Sequence, residues 1–134
     1  MNYSTRDLNK TVKFIIIHYT GMKSFAEAYK KLSHLESDVS CHYLISRKGI
    51  IFNLLSPNLK AWHAGESEWK NLKSLNDYSI GIELENKGHD HGYTPFTKEQ
   101  YASLNELISS LTFRYSLNSE NILGHSDISP NRKK

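Results

Sequence analysis

Polar side chains set among apolar neighbours are the first candidates for chemistry, because burying them is costly unless they have a partner or a task. His18 follows three isoleucines in Val12-Lys13-Phe14-Ile15-Ile16-Ile17-His18-Tyr19. A strand that ends in an imidazole holds the ring more precisely than a loop does, which suits a catalytic or metal-binding group. The plainer reading is a core histidine satisfied by a backbone carbonyl. His125 repeats the pattern at the end of Asn121-Ile122-Leu123-Gly124-His125. If the two strands are neighbours the two rings meet. A zinc ion there would need a third protein ligand and would keep a fourth position for water.

Glu83 lies inside the apolar run Ile80-Gly81-Ile82-Glu83-Leu84-Glu85. Alternation puts Glu83 and Glu85 on one face, opposite Ile82 and Leu84. Lining a cleft, a partly desolvated carboxylate has a raised pKa and suits general acid–base work. The plainer alternative is a solvent-facing strand side. Trp62-His63-Ala64-Gly65 places an aromatic and a polar ring beside two small residues. That suits a wall stacking on a sugar ring, or a loop tucked down by its Trp. His89-Asp90-His91 looks like a metal cluster, but it sits in a polar, glycine-flanked loop where such tracts bind metal adventitiously. The one cysteine, Cys41, makes no internal disulfide and reads as a buried, inert thiol.

The elements that must position these residues alternate between strands and helices. The run from Val12 to Tyr19 predicts a central strand buried on both faces. Ser24 predicts an N-cap for a helix through about His34, with Glu27 three residues on. Ser40 to Ser46 and Ile50 to Leu55 predict a hairpin about Arg47-Lys48-Gly49. Pro57 to Leu75 shows no period and is expected to be a long, functional loop. Tyr78 to Glu85 predicts a fourth strand and Asn121 to His125 a short last one. Thr97 predicts the cap of a long helix to about Tyr115, with Tyr101, Leu104, Leu107, Ile108 and Leu111 on one stripe. The first dozen residues are expected to be an arm packed on the surface. The expected fold is α/β: a single mixed β-sheet flanked by helices.

At 134 residues, with 38% hydrophobic and 23% charged, the chain is long enough for one globular domain, 1–134. The net charge of +3 comes from scattered residues, apart from Arg132-Lys133-Lys134, and gives no nucleic-acid signature. No stretch is apolar and long enough to be a transmembrane segment. No secretory signal is visible at the polar start, so the expected location is cytoplasmic, with the periplasm or cell envelope as the alternative.

Five blocks in order resemble a known family. They are Ile15 to Thr20, Val39 to Ile45, Ala61 to Gly65, Leu75 to Asn86, and Gly124-His125-Ser126-Asp127-Ile128-Ser129-Pro130-Asn131-Arg132-Lys133. Together they resemble the type 2 N-acetylmuramoyl-L-alanine amidases, AmpD-like and AmiD-like, with phage lysozyme-type amidases and peptidoglycan recognition proteins as distant relatives. The Glu85-Asn86-Lys87-Gly88 continuation is the more AmiD-like feature.

The resemblance implies a Zn2+ cofactor and hydrolysis of the amide bond between N-acetylmuramic acid and L-alanine, with peptidoglycan fragments or muropeptides as partners. It implies His18 and His125 as metal ligands. It assigns Glu83 as the catalytic acid–base and Lys133 as the cation that stabilises the oxyanion. It implies Tyr19, Trp62 and His63 as substrate-binding residues, the last two on the sugar side of the groove. Asp127 matches a structural position. The third ligand of the family, an Asp, is expected just after Lys134, so the domain is expected to be truncated at its C-terminus. Two other functions compete: a non-catalytic peptidoglycan-binding module, and a regulatory protein that binds another enzyme.

Overall fold

The computed structural model describes residues 2–88, 91–92, 94–124 and 127. In chain order its strands are β1 (Tyr3–Thr5), β2 (Phe14–Tyr19), β3 (Tyr43–Ile45), β4 (Ile51–Asn53), β5 (Leu59–Ala61), β6 (Glu68–Trp69), β7 (Leu72–Lys73), β8 (Ser79–Leu84) and β9 (Ile122–Gly124). The helices are α1 (Phe25–Ser33) and α2 (Lys98–Tyr115). A five-stranded mixed sheet runs in the order β4-β3-β8-β2-β9. Three of its four pairings are parallel, and the β3–β4 hairpin at one edge is antiparallel. The continuous apolar runs of β2 and β8 put them at the centre, and every residue of β8 is buried.

The register decides which residues share a face. Ile16 pairs with Gly81 and His18 with Glu83. The other face carries Ile15, Ile80, Ile82, Leu84 and Ile45, packed on Leu104, Leu107 and Leu111 of α2. Each of these fully buried side chains stabilises the fold by roughly 1.5–3 kcal/mol. Helix α2 starts at Thr97, as its sequence predicts. The Thr97 hydroxyl accepts the Gln100 N–H and the Gln100 side chain accepts the Thr97 N–H. Ser24 caps α1 by accepting the Glu27 N–H. Helix α1 covers the His18 face, with Leu32 against Cys41 and Leu44.

Two segments are more ordered than their sequence suggests. The expected loop from Pro57 to Leu75 contains β5 and the β6–β7 hairpin. Its turn residues, Lys70 and Asn71, both have positive φ, the backbone a two-residue hairpin turn requires. The arm at the start pairs as β1 with β5. From there the Arg6 guanidinium donates to the carbonyls of Pro57, Leu59, Asn76, Asp77 and Ser79. No helix among the described residues is long and apolar enough to cross a membrane.

Candidate functional site

The parallel pairing of β2 with β8 sets His18 directly across from Glu83. His18 Nδ1 lies 4.0 Å from Glu83 Oε2. Both residues are nearly inaccessible, at 3% and 8% exposure, yet both line a cleft of about 400 Å3. That volume lies within the range of small-molecule sites. Tyr19, Thr20 and Met22 line it from the end of β2, and Leu32, Val39 and Ser40 from α1 and the segment after it. Trp62, His63, Gly65 and Asn76 line it from the β5–β8 connection. Strand β9 runs on the other side of β2 with Gly124 opposite Ile17, so its end reaches the rim where His18 stands. His125 and Lys133 lie outside the described residues, as do His89 and Asp90; His91 is exposed.

Trp62 fits both readings of its loop. Its indole N–H donates to Ser4 Oγ at 3.1 Å and its backbone N–H to Ser40 Oγ at 2.8 Å, which tucks the loop onto the N-terminal arm. The half-buried side chain also faces the cleft. His63 is buried. Its Nδ1 lies 2.9 Å from His18 Nε2 and its Nε2 lies 2.9 Å from Ser79 Oγ. The two imidazoles meet edge to face at 5.1 Å. Asn76 holds this loop in place, because its Oδ1 accepts the N–H groups of both His63 and Ala64.

Glu85 follows the end of β8 and is not among the residues lining the cleft; its Oε1 accepts the Arg47 N–H at 2.9 Å, fixing the β3–β4 turn. Cys41 is buried, and desolvation pushes its thiol pKa well up, so it stays protonated and unreactive. Asp127 accepts the Gly124 N–H at 2.8 Å, a structural tie at the end of β9. Asp77 is held below the usual carboxylate range. Burial pushes it up, but hydrogen bonds from Lys60 and Lys10 outweigh that.

His42 is the core histidine that His18 resembled in sequence. Its Nδ1 accepts the Gly81 N–H and its Nε2–H donates to the Leu59 carbonyl. Burial pushes its pKa down to about 4, so it is neutral at physiological pH.

Sequence reasoning missed four contributors: Arg6, Asn76, Ser79 and Gly81. Only Gly81 left a signal. A glycine inside an otherwise β-branched strand marks the close approach of another group, and here that group is the His63 ring.

Among the described residues, no three His, Cys, Asp or Glu side chains are grouped to hold a metal ion. The arrangement supplies one strand-borne imidazole and one carboxylate at the floor of a cleft. That pair can present a lone pair to an electrophile and exchange a proton beside it.

Similarity to known proteins adds to this geometry. The chain is 42% identical over 110 residues to 1,6-anhydro-N-acetylmuramyl-L-alanine amidase AmpD of Haemophilus influenzae, covering 81% of this chain and 54% of that protein. It is 37% identical over 134 residues to N-acetylmuramoyl-L-alanine amidase AmiD of Escherichia coli, covering 91% of this chain and 48% of that protein. The fold matches the solved structure of AmiD from Escherichia coli in complex with the substrate anhydro-N-acetylmuramic acid-L-Ala-D-gamma-Glu-L-Lys. The TM-score is 0.81 at 36% identity, over 91% of this chain and 51% of that one. The chain thus spans about half the length of the curated relatives it matches. The N-acetylmuramoyl-L-alanine amidase family model matches residues 8–134, almost the whole chain, and the chain belongs to that family.

Proposed function

We propose that this domain hydrolyses the amide bond between N-acetylmuramic acid and L-alanine in peptidoglycan or muropeptides, with zinc as its cofactor. The observation that carries this reading is the His18–Glu83 pair at the floor of the cleft, in a chain of this family. The substrate complex of its structural relative AmiD supports the same substrate class.

The donor chemistry fits zinc as far as the described residues reach. His18 offers an imidazole on a rigid strand at the cleft floor, with a carboxylate beside it. His125, and an Asp expected beyond Lys134, would complete the ligand set. When bound, zinc supplies Lewis-acid polarisation of the scissile carbonyl and lowers the pKa of water.

The remaining steps belong to the chain's own residues. Glu83 takes the proton of the attacking water and delivers it to the leaving amine of L-alanine. At 8% exposure it stands at the cleft floor, 4.0 Å from His18 Nδ1. Lys133 stabilises the negative charge that develops on the carbonyl oxygen. Tyr19, Trp62 and His63 line the groove on which the sugar and its lactyl group rest.

The test is Glu83→Ala, made in this chain and in a version extended past Lys134 by the proposed Asp ligand. With the extension, the wild type should hold about one zinc and release stem peptide from muropeptides. The variant should keep the metal and bind muropeptide while turnover falls about 10²- to 10⁴-fold. If both proteins bind peptidoglycan and neither cleaves it, the domain is a recognition module instead.

A further inference from the structure

A buried polar chain stands behind His18, and the proton transfers proposed above do not run through it. Its hydrogen bonds run in one direction. The Leu75 carbonyl can only accept, so the Ser79 hydroxyl, 2.7 Å away, donates to it. Ser79 Oγ then accepts the Nε2–H of His63 at 2.9 Å. A neutral His63 donating from Nε2 carries its lone pair on Nδ1, so the partner at 2.9 Å, His18 Nε2, must be the donor. A neutral His18 donating from Nε2 carries its lone pair on Nδ1. That is the nitrogen 4.0 Å from Glu83 Oε2, and both residues line the cleft.

We infer that His63 and Ser79 are positioning residues: the relay from His18 through His63 and Ser79 to the Leu75 carbonyl selects the tautomer in which His18 offers Nδ1 as its donor atom. That the acceptor of this lone pair is a metal ion rests on the proposed function above. The tautomer does not.

The surroundings favour such a relay. Ser79 is fully buried, and His18 and His63 are 3% and 8% exposed, so little water reaches them to offer an alternative partner. The ring of His63 fits because Gly81 has no side chain: a Cβ there would lie 2.5 Å from His63 Cγ. Asn76 fixes the His63 backbone, and Arg6 holds the carbonyl of Ser79. His63 and Ser79 are therefore each anchored from a second direction. In metal sites, an outer partner that takes the other ring N–H fixes both tautomer and orientation of the ligating imidazole.

The experiment compares wild type, His63→Leu, His63→Gln and Ser79→Ala, first without metal. Nitrogen-15 spectra of the imidazoles should show His18 as the Nε2–H tautomer in the wild type. In His63→Leu the tautomers should mix. His63→Gln, whose side-chain oxygen can accept the His18 Nε2–H, should restore most of the wild-type signature. Zinc affinity, measured by competition with a chelator at equal chain length, should fall about 10- to 100-fold in His63→Leu, with partial recovery in His63→Gln. Ser79→Ala removes one hydroxyl and should shift the tautomer in the same direction; it carries the test if His63→Leu does not fold. An Nδ1–H His18 in the wild type overturns the inference. Equal losses in the Leu and Gln variants also overturn it, because His63 then acts by packing alone. If the wild type binds no zinc but shows an Nε2–H tautomer that depends on His63, the zinc reading fails and the relay stands.

Discussion

Replacing Gly81 by Ala puts a methyl group where the His63 ring now lies. The added Cβ would fall 2.5 Å from Cγ, 2.7 Å from Cδ2 and 2.8 Å from Nδ1 of His63. Comfortable contact begins near ~3.5 Å, so the ring must retreat by about 1 Å. It is tied on both sides, to His18 and to Ser79, at 2.9 Å each. A retreat of that size takes at least one hydrogen bond past its working length of about 3.2 Å. Overpacking of this kind costs about 1–3 kcal/mol. An unsatisfied buried donor or acceptor adds about 1–3 kcal/mol. The reduced freedom of the unfolded chain returns about 0.4–1 kcal/mol. Gly81 is not among the glycines with positive φ, so no backbone strain enters. The net expectation is a loss of about 3 kcal/mol, read from urea denaturation. The decisive form is a cycle with His63→Ala. Once the ring is gone the methyl has nothing to strike, so the double variant should be more stable than the summed single losses imply, by about 1–3 kcal/mol. An additive cycle, or a Gly81→Ala protein as stable as wild type, would refute the view that this glycine exists to admit the His63 ring.

Arg6→Ala deprives five carbonyls of one donor and should cost about 3 kcal/mol in a denaturant titration. Arg6→Lys should recover less than half, because an ammonium cannot match the planar fork, and a loss below about 1 kcal/mol would remove Arg6 from this role. His42 makes stability fall with acid. Its folded pKa of about 4 lies below the ordinary value of 6.5, so the unfolded chain takes up the proton first. The contribution is complete above pH 6.5 and shrinks as pH falls, by about 2 kcal/mol at pH 5, until it is gone near pH 4. His42→Gln should lack this component, so a stability difference between wild type and variant that is equal at pH 7 and pH 5 would contradict the assignment.

Much of the sheet was legible because it is encoded locally. The Phe14–Tyr19 and Ser79–Leu84 runs declare buried parallel strands, and Ser24 and Thr97 announce their helices by capping chemistry. The β6–β7 hairpin was not legible, because Lys70-Asn71 adopts the turn without a glycine to advertise it. The β1–β5 pairing was hidden for another reason. Three-residue strands have too little period to read, and this one depends on contacts across more than fifty residues. The site was legible in its strand-borne members, His18 and Glu83, whose neighbours make their polarity conspicuous. Ser79 and Asn76 were not, since a serine opening a strand and an asparagine just before it ordinarily mean a turn. Only the packed fold shows what their oxygens accept.

The three described buried histidines separate a structural imidazole from a working one, and burial is not what separates them. His42 spends both nitrogens on backbone groups, which cannot be re-aimed without moving β5 and β8. His63 bonds two side chains, so it passes orientation from Ser79 to His18 rather than merely filling space. His18 leans on His63 with one nitrogen and turns the other toward the Glu83 side. Ser79 ties this series to the rest of the fold, because its hydroxyl anchors His63 while its carbonyl accepts from Arg6. Damage to the N-terminal arm should therefore reach the donor atom of His18 through the start of β8, although Arg6 is not among the residues that line the cleft.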